Sequence, residues 1–361
     1  MSGYVCNNLM VNIFEGLPPK SIIRFRSLSK YWHSRLRSPE FIHDHRIRCS
    51  KNPPKVLIKH VTCWEYTRKI ICTSHSADQL PVHPGSGYIG IPAVEFHNQG
   101  RLTEVVGSCN GILCLRDKEN IILWNFSIRR KLVIPLHPLL KSTLKPFDGA
   151  FGFGFDPITD DYKIVGALLT KKTYIYCLKT KSWCEIVSPY STSSFVNLLG
   201  KACFINGILH WVMSTADPRR FILTFNVSSH VFGRILFPEP WRVSELTTIN
   251  GCLALASLEK GYYRKIRVME EYDKTESWTV LFEVEIKGQF HVIQPTTNGD
   301  VLVAYNVQSK VYNLRTMSFT KLLLKFGPCR YNIEMETYVE SLELLDKDNT
   351  VTCGETIFSS A

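Results

Sequence analysis

Between residues 9 and 17 the apolar positions Leu9, Met10, Ile13, Phe14 and Leu17 recur at steps of three and four, the spacing of one face of an α-helix. Pro18-Pro19 stops that pattern and offers Pro19 as the first residue of a second helix, with Ile22, Ile23 and Phe25 as its apolar positions. Ser27 stands as a candidate N-cap for a third, whose stripe is Leu28, Tyr31, Trp32 and Leu36 while Lys30, Arg35 and Arg37 face out. Ser38-Pro39-Glu40 opens a last helix carrying Phe41, Ile42 and Ile47. Helices this short are marginal alone, and a unit of about 45 residues cannot cover so much apolar surface. A partner must cover part of it.

After "KNPPK" (51–55) the helical period gives way to short β-branched and aromatic runs punctuated by Gly, Pro, Asn and Asp. These runs repeat. Asn-Gly pairs stand at Asn110-Gly111, Asn206-Gly207, Asn250-Gly251 and Asn298-Gly299, at intervals of 96, 44 and 48 residues, and "FGFGFDPITDDYKIVGA" (151–167) fills the double gap with a turn at Asp156-Pro157. In step with them run Trp183, Phe232, Trp278 and Phe319, spaced 49, 46 and 41 residues apart. A unit of that length holding about four short strands is a propeller blade, and Asn-Gly supplies the positive φ its hairpins need. Counting in 56–73 and 335–345 gives about six blades, with the four aromatics buried at equivalent places between them.

At 361 residues, 45% hydrophobic and 21% charged, the chain has room for one large domain and an appendage. No apolar run reaches bilayer-spanning length, and the first residues lack the pattern of a signal peptide, so a cytosolic or nuclear location is expected. The 12 cysteines form no C-x-x-C pair, which argues against zinc. His43, His45 and Cys49 are expected as solvated histidines and a buried thiol rather than a metal set. The sequons at Asn125 and Asn226 would matter only in a secreted protein. A net charge of +11 raises the question of nucleic acid, but beyond residue 51 the Lys and Arg are spread singly. Nucleic acid is therefore a third-ranked partner.

The stretch "LMVNIFEGLPPKSIIRFRSLSKYWHSRLRSPEFIHDH" resembles the F-box motif of plant F-box proteins, through Leu17-Pro18, Lys20 to Arg26, Ser29 to Trp32 and Ser38 to Ile42. Val5-Cys6 stand where the family usually carries Leu-Pro. The later segments "SCNGILCL" (108–115), "FGFGFDPITDDYKIV" (151–165), "INGILHWV" (205–212) and "YVESL" (338–342) resemble the plant F-box-associated domain, related to kelch-type propellers. The resemblance implies a multidomain α+β chain: a short N-terminal helical F-box (1–50), a linker (51–55), an all-β, kelch-like propeller of about six degenerate blades (56–345) and a C-terminal tail (346–361). It also implies a substrate receptor of a Skp–cullin–F-box ubiquitin ligase. Such a chain docks a Skp-type linker, and through it a cullin, and holds an unknown target protein for ubiquitination. The alternative is an F-box-like scaffold that recruits no ligase.

Chemistry is thin elsewhere. "GFGFD" is not a dinucleotide fingerprint, Asp156, Asp160 and Asp161 lack the spacing of a calcium loop, and His210 reads as a packed strand residue. A non-catalytic adaptor without cofactor, metal or membrane contact is expected. Leu9, Ile13, Leu17, Pro18, Ile22, Ile23 and Leu28 are the expected linker contacts, with Trp32 holding the helices together. For the target, the connections 136–149, 189–200 and 238–246 offer Lys141, Lys145, Phe147, Tyr190, Phe195, Trp241 and Arg242, aromatic and cationic types suited to an acidic or phosphorylated patch. The same aromatics could instead fold each loop back on the ring.

Overall fold

A computed structural model describes residues 6–64, 67–76, 104–143, 150–167, 172–188, 197–214, 221–259, 262–285, 290–293, 300–305, 308–322, 331–344 and 351–352. Four helices come first: α1 (Asn7–Glu15), α2 (Pro19–Phe25), α3 (Lys30–Arg35) and α4 (Pro39–Cys49). Pro19 and Pro39 sit at the starts of α2 and α4, where a missing N–H leaves no bond unmade. The cap of α3 is Ser29, not Ser27: the Trp32 amide donates to Ser29 Oγ at 3.2 Å, while Ser27 Oγ donates to the Arg24 carbonyl.

The strands follow as β1 (Lys55–Trp64), β2 (Thr67–Ser76), β3 (Glu104–Cys109), β4 (Ile112–Arg116), β5 (Asn120–Asn125) and β6 (Arg130–Pro135). After a short α5 (Pro138–Thr143) come β7 (Ala150–Asp156), β8 (Asp161–Ala167), β9 (Lys172–Cys177) and β10 (Ser182–Val187). The next set is β11 (Asn197–Ile205), β12 (Ile208–Ser214), β13 (Phe221–Asn226) and β14 (Phe232–Leu236). Then come β15 (Arg242–Ile249), β16 (Cys252–Leu258), β17 (Tyr263–Met269) and β18 (Trp278–Glu285). The chain finishes with β19 (Phe290–Ile293), β20 (Val301–Tyr305), β21 (Gln308–Asn313), β22 (Ser318–Leu322), β23 (Tyr331–Tyr338) and β24 (Val351–Thr352).

Among the described residues these strands make six antiparallel sheets. The innermost strands β3, β7, β11, β15, β19 and β23 adjoin one another in a closed circuit. The end segments 56–73 and 335–345 meet in one sheet, ordered β2-β1-β23, with Lys55 opposite Tyr338. Both ends of the propeller chain thus close the ring. The tail is not wholly separate, because β24 pairs with β6 through Val351 opposite Lys131 and Thr352 opposite Arg130.

Three of the four Asn-Gly pairs make turns with both residues at positive φ: Asn110 and Gly111 at 49° and 77°, Asn206 and Gly207 at 52° and 76°, Asn250 and Gly251 at 51° and 73°. The fourth, Asn298-Gly299, lies outside the described residues. The four repeated aromatics do hold equivalent places, each early in an outermost strand opposite Tyr176, Phe225, Met269 or Tyr312. They are half-buried rather than buried. An outermost strand packs on one neighbour only and leaves its other edge to water. The large side chains that are fully buried lie further in, among them Trp124 and Trp211.

Glycine in "FGFGFD" is explained by blade contact. A Cβ on Gly152 would lie 2.8 Å from Leu209 and Trp211, and one on Gly154 would lie 2.5 Å from Phe204. The next sheet's side chains occupy the space that a methyl group would need.

Candidate functional site

The helical part has two faces. Phe14, Ile22, Leu36, Phe41 and Ile42 form one apolar cluster that also takes in Ile128 and Leu342 of the propeller. Trp32 meets Phe14 edge-on at 4.8 Å, holding α3 on α1. The partner demanded by the short helices is thus partly supplied by the same chain. Arg46 of α4 reinforces the junction, pairing with Glu343 at 3.0 Å and lying 4.7 Å from the Phe155 ring. Buried Asn125 anchors the segment that carries Leu342, its Nδ2 donating to the Ser341 and Glu343 carbonyls at 3.0 and 2.8 Å.

The other face is open. Leu9 is 51%, Ile13 48%, Leu28 56% and Tyr31 50% exposed, while Pro18 is exposed and Leu17 and Ile23 are half-buried. A shallow groove beside them is lined by Asn8, Val11, Asn12, Tyr31 and Arg35. Ile22 does not belong to this surface. It is fully buried, because α2 turns Ile22 inward and leaves Ile23 at the margin. Ile47 likewise departs from expectation, exposed on α4 at 47%.

His45 corrects the expectation of solvated histidines. It is fully buried, with Nε2 3.1 Å from the Leu17 carbonyl and the ring 3.6 Å from Cys49 Sγ. Burial pushes the Cys49 thiol up to about 11 and holds His45 below the ordinary histidine range. His43 is exposed. Among the described residues no group of three His, Cys, Asp or Glu could hold a metal ion.

The remaining polar clusters are joints of the ring. Asp156 is buried, pairs with Lys163 at 2.8 Å and accepts from Ile158 N, Thr159 Oγ1 and Ser228 Oγ. Lys163 Nζ also donates to the Val227 carbonyl at 2.8 Å and to His230 Nε2 at 3.0 Å, joining the β7–β10 sheet to the β11–β14 sheet. These bonds hold the Asp156 carboxyl well below the usual carboxylate range against its burial. His210 is packed between the Cys203 carbonyl at 3.1 Å and Tyr272 Oη at 2.8 Å, and burial pulls it down to about 4. Along the ring axis a cavity of about 280 Å³ is lined by inner strands and, at one end, by Arg46, Ser50 and Pro54. Lys201 ion-pairs with Glu336 there, and Lys59 with Glu334 at 2.8 Å.

Inner strands run toward the helical part, ending at turns such as Asn110-Gly111 beside Ser341. Antiparallel alternation therefore puts the ends of β6, β10 and β14 and the starts of β7, β11 and β15 on the far rim. The residues of the connections 136–149, 189–200 and 238–246 differ in kind. Lys141 is exposed but pairs with Glu119 at 3.0 Å. Trp241 is a packing residue, 5.6 Å from Phe237 and 5.9 Å from Trp278, with Arg267 over its ring at 4.3 Å. That connection is also shorter than its composition suggests, since β15 begins at Arg242, which is exposed. Lys145, Phe147, Tyr190 and Phe195 lie outside the described residues.

Sequence reading placed Tyr31 in the apolar stripe of the third helix but not on the open face, and did not assign Ile128, Leu342 and Asn125 to the junction. For Asn125 a signal existed. Asn125, Asn226 and Asn313 each accept from two backbone amides two and three residues on, a repeated Asx-turn between the third and fourth strands of a sheet. Two of them are the sequons, which are thereby accounted for as turn residues.

Comparison with known proteins agrees with this geometry. The F-box domain family matches residues 5–44, and the family described as F-box associated beta propeller domain matches residues 67–324. An Arabidopsis thaliana F-box/kelch-repeat protein is 26% identical over 315 residues, covering 82% of this chain and 83% of that protein. The Arabidopsis thaliana F-box protein CPR1 is 25% identical over 382 residues, covering 91% and 86%. With helices that present one apolar face outward and a ring of antiparallel sheets behind them, the chain belongs to the plant F-box proteins that carry an F-box-associated β-propeller domain.

Proposed function

We propose that this chain is the substrate-recognition subunit of a Skp–cullin–F-box ubiquitin ligase. Its helical part docks a Skp-type linker, and through it a cullin, while the propeller holds a target protein for ubiquitination. The observation that carries this reading is the two-sidedness of the F-box. One apolar face is used up against Ile128 and Leu342, and Leu9, Ile13, Leu28 and Tyr31 are left exposed together on the other. Clustered exposed apolar side chains mark protein contacts. Leu17, Pro18 and Ile23 flank them. The target's place is the rim opposite the F-box, where loops can vary while the strands stay committed to packing. The chain's work is positioning, with no chemical step of its own, in the cytoplasm or nucleus.

The Val5-Cys6 departure favours a second reading, a scaffold that recruits no ligase: Cys6 starts α1 without a side-chain cap. Capture of a purified Skp-type linker by the full chain separates the two. Leu9→Ala, Ile13→Ala and Leu28→Ala combined should weaken capture about tenfold or more with the melting temperature unchanged. Undiminished capture by that variant removes the docking surface. A folded parent chain that captures no linker leaves the scaffold.

A further inference from the structure

The outer edges of the sheets are not all alike. Among the described residues β10, β14, β18 and β22 each end a four-stranded sheet, with no further strand on them. The edge of β6 differs, because β24 adds to its sheet as a fifth strand. That cover is short. Val351 stands opposite Lys131 and Thr352 opposite Arg130, while Leu132, Val133, Ile134 and Pro135 have no residue of β24 opposite them. Val133 is exposed. An ordinary strand runs to about five or six residues, so two paired residues form a weak hold. The backbone groups of such an edge can pair with any extended chain of suitable sequence.

Charge says which kind of chain suits this edge. β6 opens on Arg130-Lys131, directly after Arg129. By contrast β10 and β18 hold no Lys or Arg, and β14 and β22 hold one each, Arg234 and Lys321. The sequence on either side of β24 carries Asp346, Asp348 and Glu355 against Lys347. An acidic stretch of chain is thus the one that supplies a strand to the basic edge, and opposite charges on paired strands attract. The place is also particular. β6 begins two residues after Ile128, and β24 follows Leu342 and Glu343, all three members of the F-box junction.

We propose that the outer edge of β6 is a strand-addition site for an extended acidic segment of another protein, and that β24 holds this site closed in the free chain. The incoming segment takes the place of β24 and extends along the uncovered part of β6. Main-chain bonds to β6 supply the affinity, and Arg129, Arg130 and Lys131 select for acid. The site makes no use of Leu9, Ile13 or Leu28, so it stands or falls apart from linker docking.

The probe is a fluorescein-labelled peptide of the chain's own residues 346–356 carrying Cys353→Ser, and binding is read by fluorescence anisotropy. It is titrated with the full parent chain and with a double variant, Val351→Pro and Thr352→Pro, whose tail has lost the amide donors that pair with β6. The double variant should bind the peptide saturably, and the parent about tenfold or more weakly, because its own tail competes at high effective concentration. A chain ending at Leu344 should bind as the double variant does, so the result does not hang on proline. Adding Lys131→Glu to the double variant should weaken binding. A scrambled peptide, and the peptide carrying Val351→Pro and Thr352→Pro, should not bind. Equal binding by parent and double variant overturns the proposal, as does no binding by either released chain. Binding that is matched by the scrambled or proline peptide, or indifferent to Lys131→Glu, overturns it too. Both released chains should melt close to the parent, and a collapse of both would make β24 part of the ring and sink the idea of a displaceable strand.

Discussion

At the residue scale, buried histidines decide how the fold meets acid. His210 is held near 4 by burial, and His45 and His230 are held below their ordinary value by the same cause. A histidine whose folded pKa is depressed contributes stability that is complete above its unfolded value, about 6.5, and drains away as pH falls toward the folded value. Lys163 adds to this at His230, because its ammonium donates to Nε2 and that bond requires the neutral ring. Asp156 acts lower, its contribution lost only as pH falls below the ordinary aspartate range of about 4. Denaturation midpoints should therefore decline between about pH 6.5 and pH 4. Fully buried His210 supplies about 3 kcal/mol of that decline. His210→Gln should flatten this acid limb relative to the parent, and an unchanged limb would place the decline on His45 and His230.

At the element scale, the repeat legible in the sequence marks position and not burial. Trp278 heads β18 half-exposed, against Trp241 and Phe237. Trp211 on β12 is fully buried, and its Nε1 donates to the Phe151 carbonyl at 3.2 Å. Trp211→Ala should cost about 3–5 kcal/mol, as for a buried large aromatic, and Trp278→Ala clearly less. Paired urea denaturation curves check the order. A larger loss at Trp278 would mean that the outermost strands carry more of the ring than their packing indicates. The Asn-Gly hairpins were readable because their backbone needs two positive φ values that few dipeptides supply. The true cap of α3 was not, because Ser27 and Ser29 both fit the pattern. Only the direction in which the chain leaves α2 selects between them.

At the scale of the whole molecule, the F-box and propeller share a core. Removing residues 1–50 would expose Ile128 and Leu342 to water and strip Glu343 of Arg46. The isolated propeller should then melt below the full chain and associate more readily, as light scattering on heating would show. Equal melting temperatures would mean that the shared cluster adds nothing to the ring. The seam also bears on the cavity, since one end of it is lined by α4 and the chain that follows it.

The sequence by itself determined the order of parts, the turns between strands and the two apolar periods, because local backbone geometry and side-chain spacing are written residue by residue. It did not distinguish Ile22 from Leu9, or Trp241 from Arg242. An amphipathic stripe says that a side chain seeks cover without saying which neighbour provides it. Ile128 and Leu342 come to α2 from positions more than a hundred residues away, and one of them only after the ring has closed on β23. The buried face and the open face follow from that closure, which brings together residues that no local pattern connects.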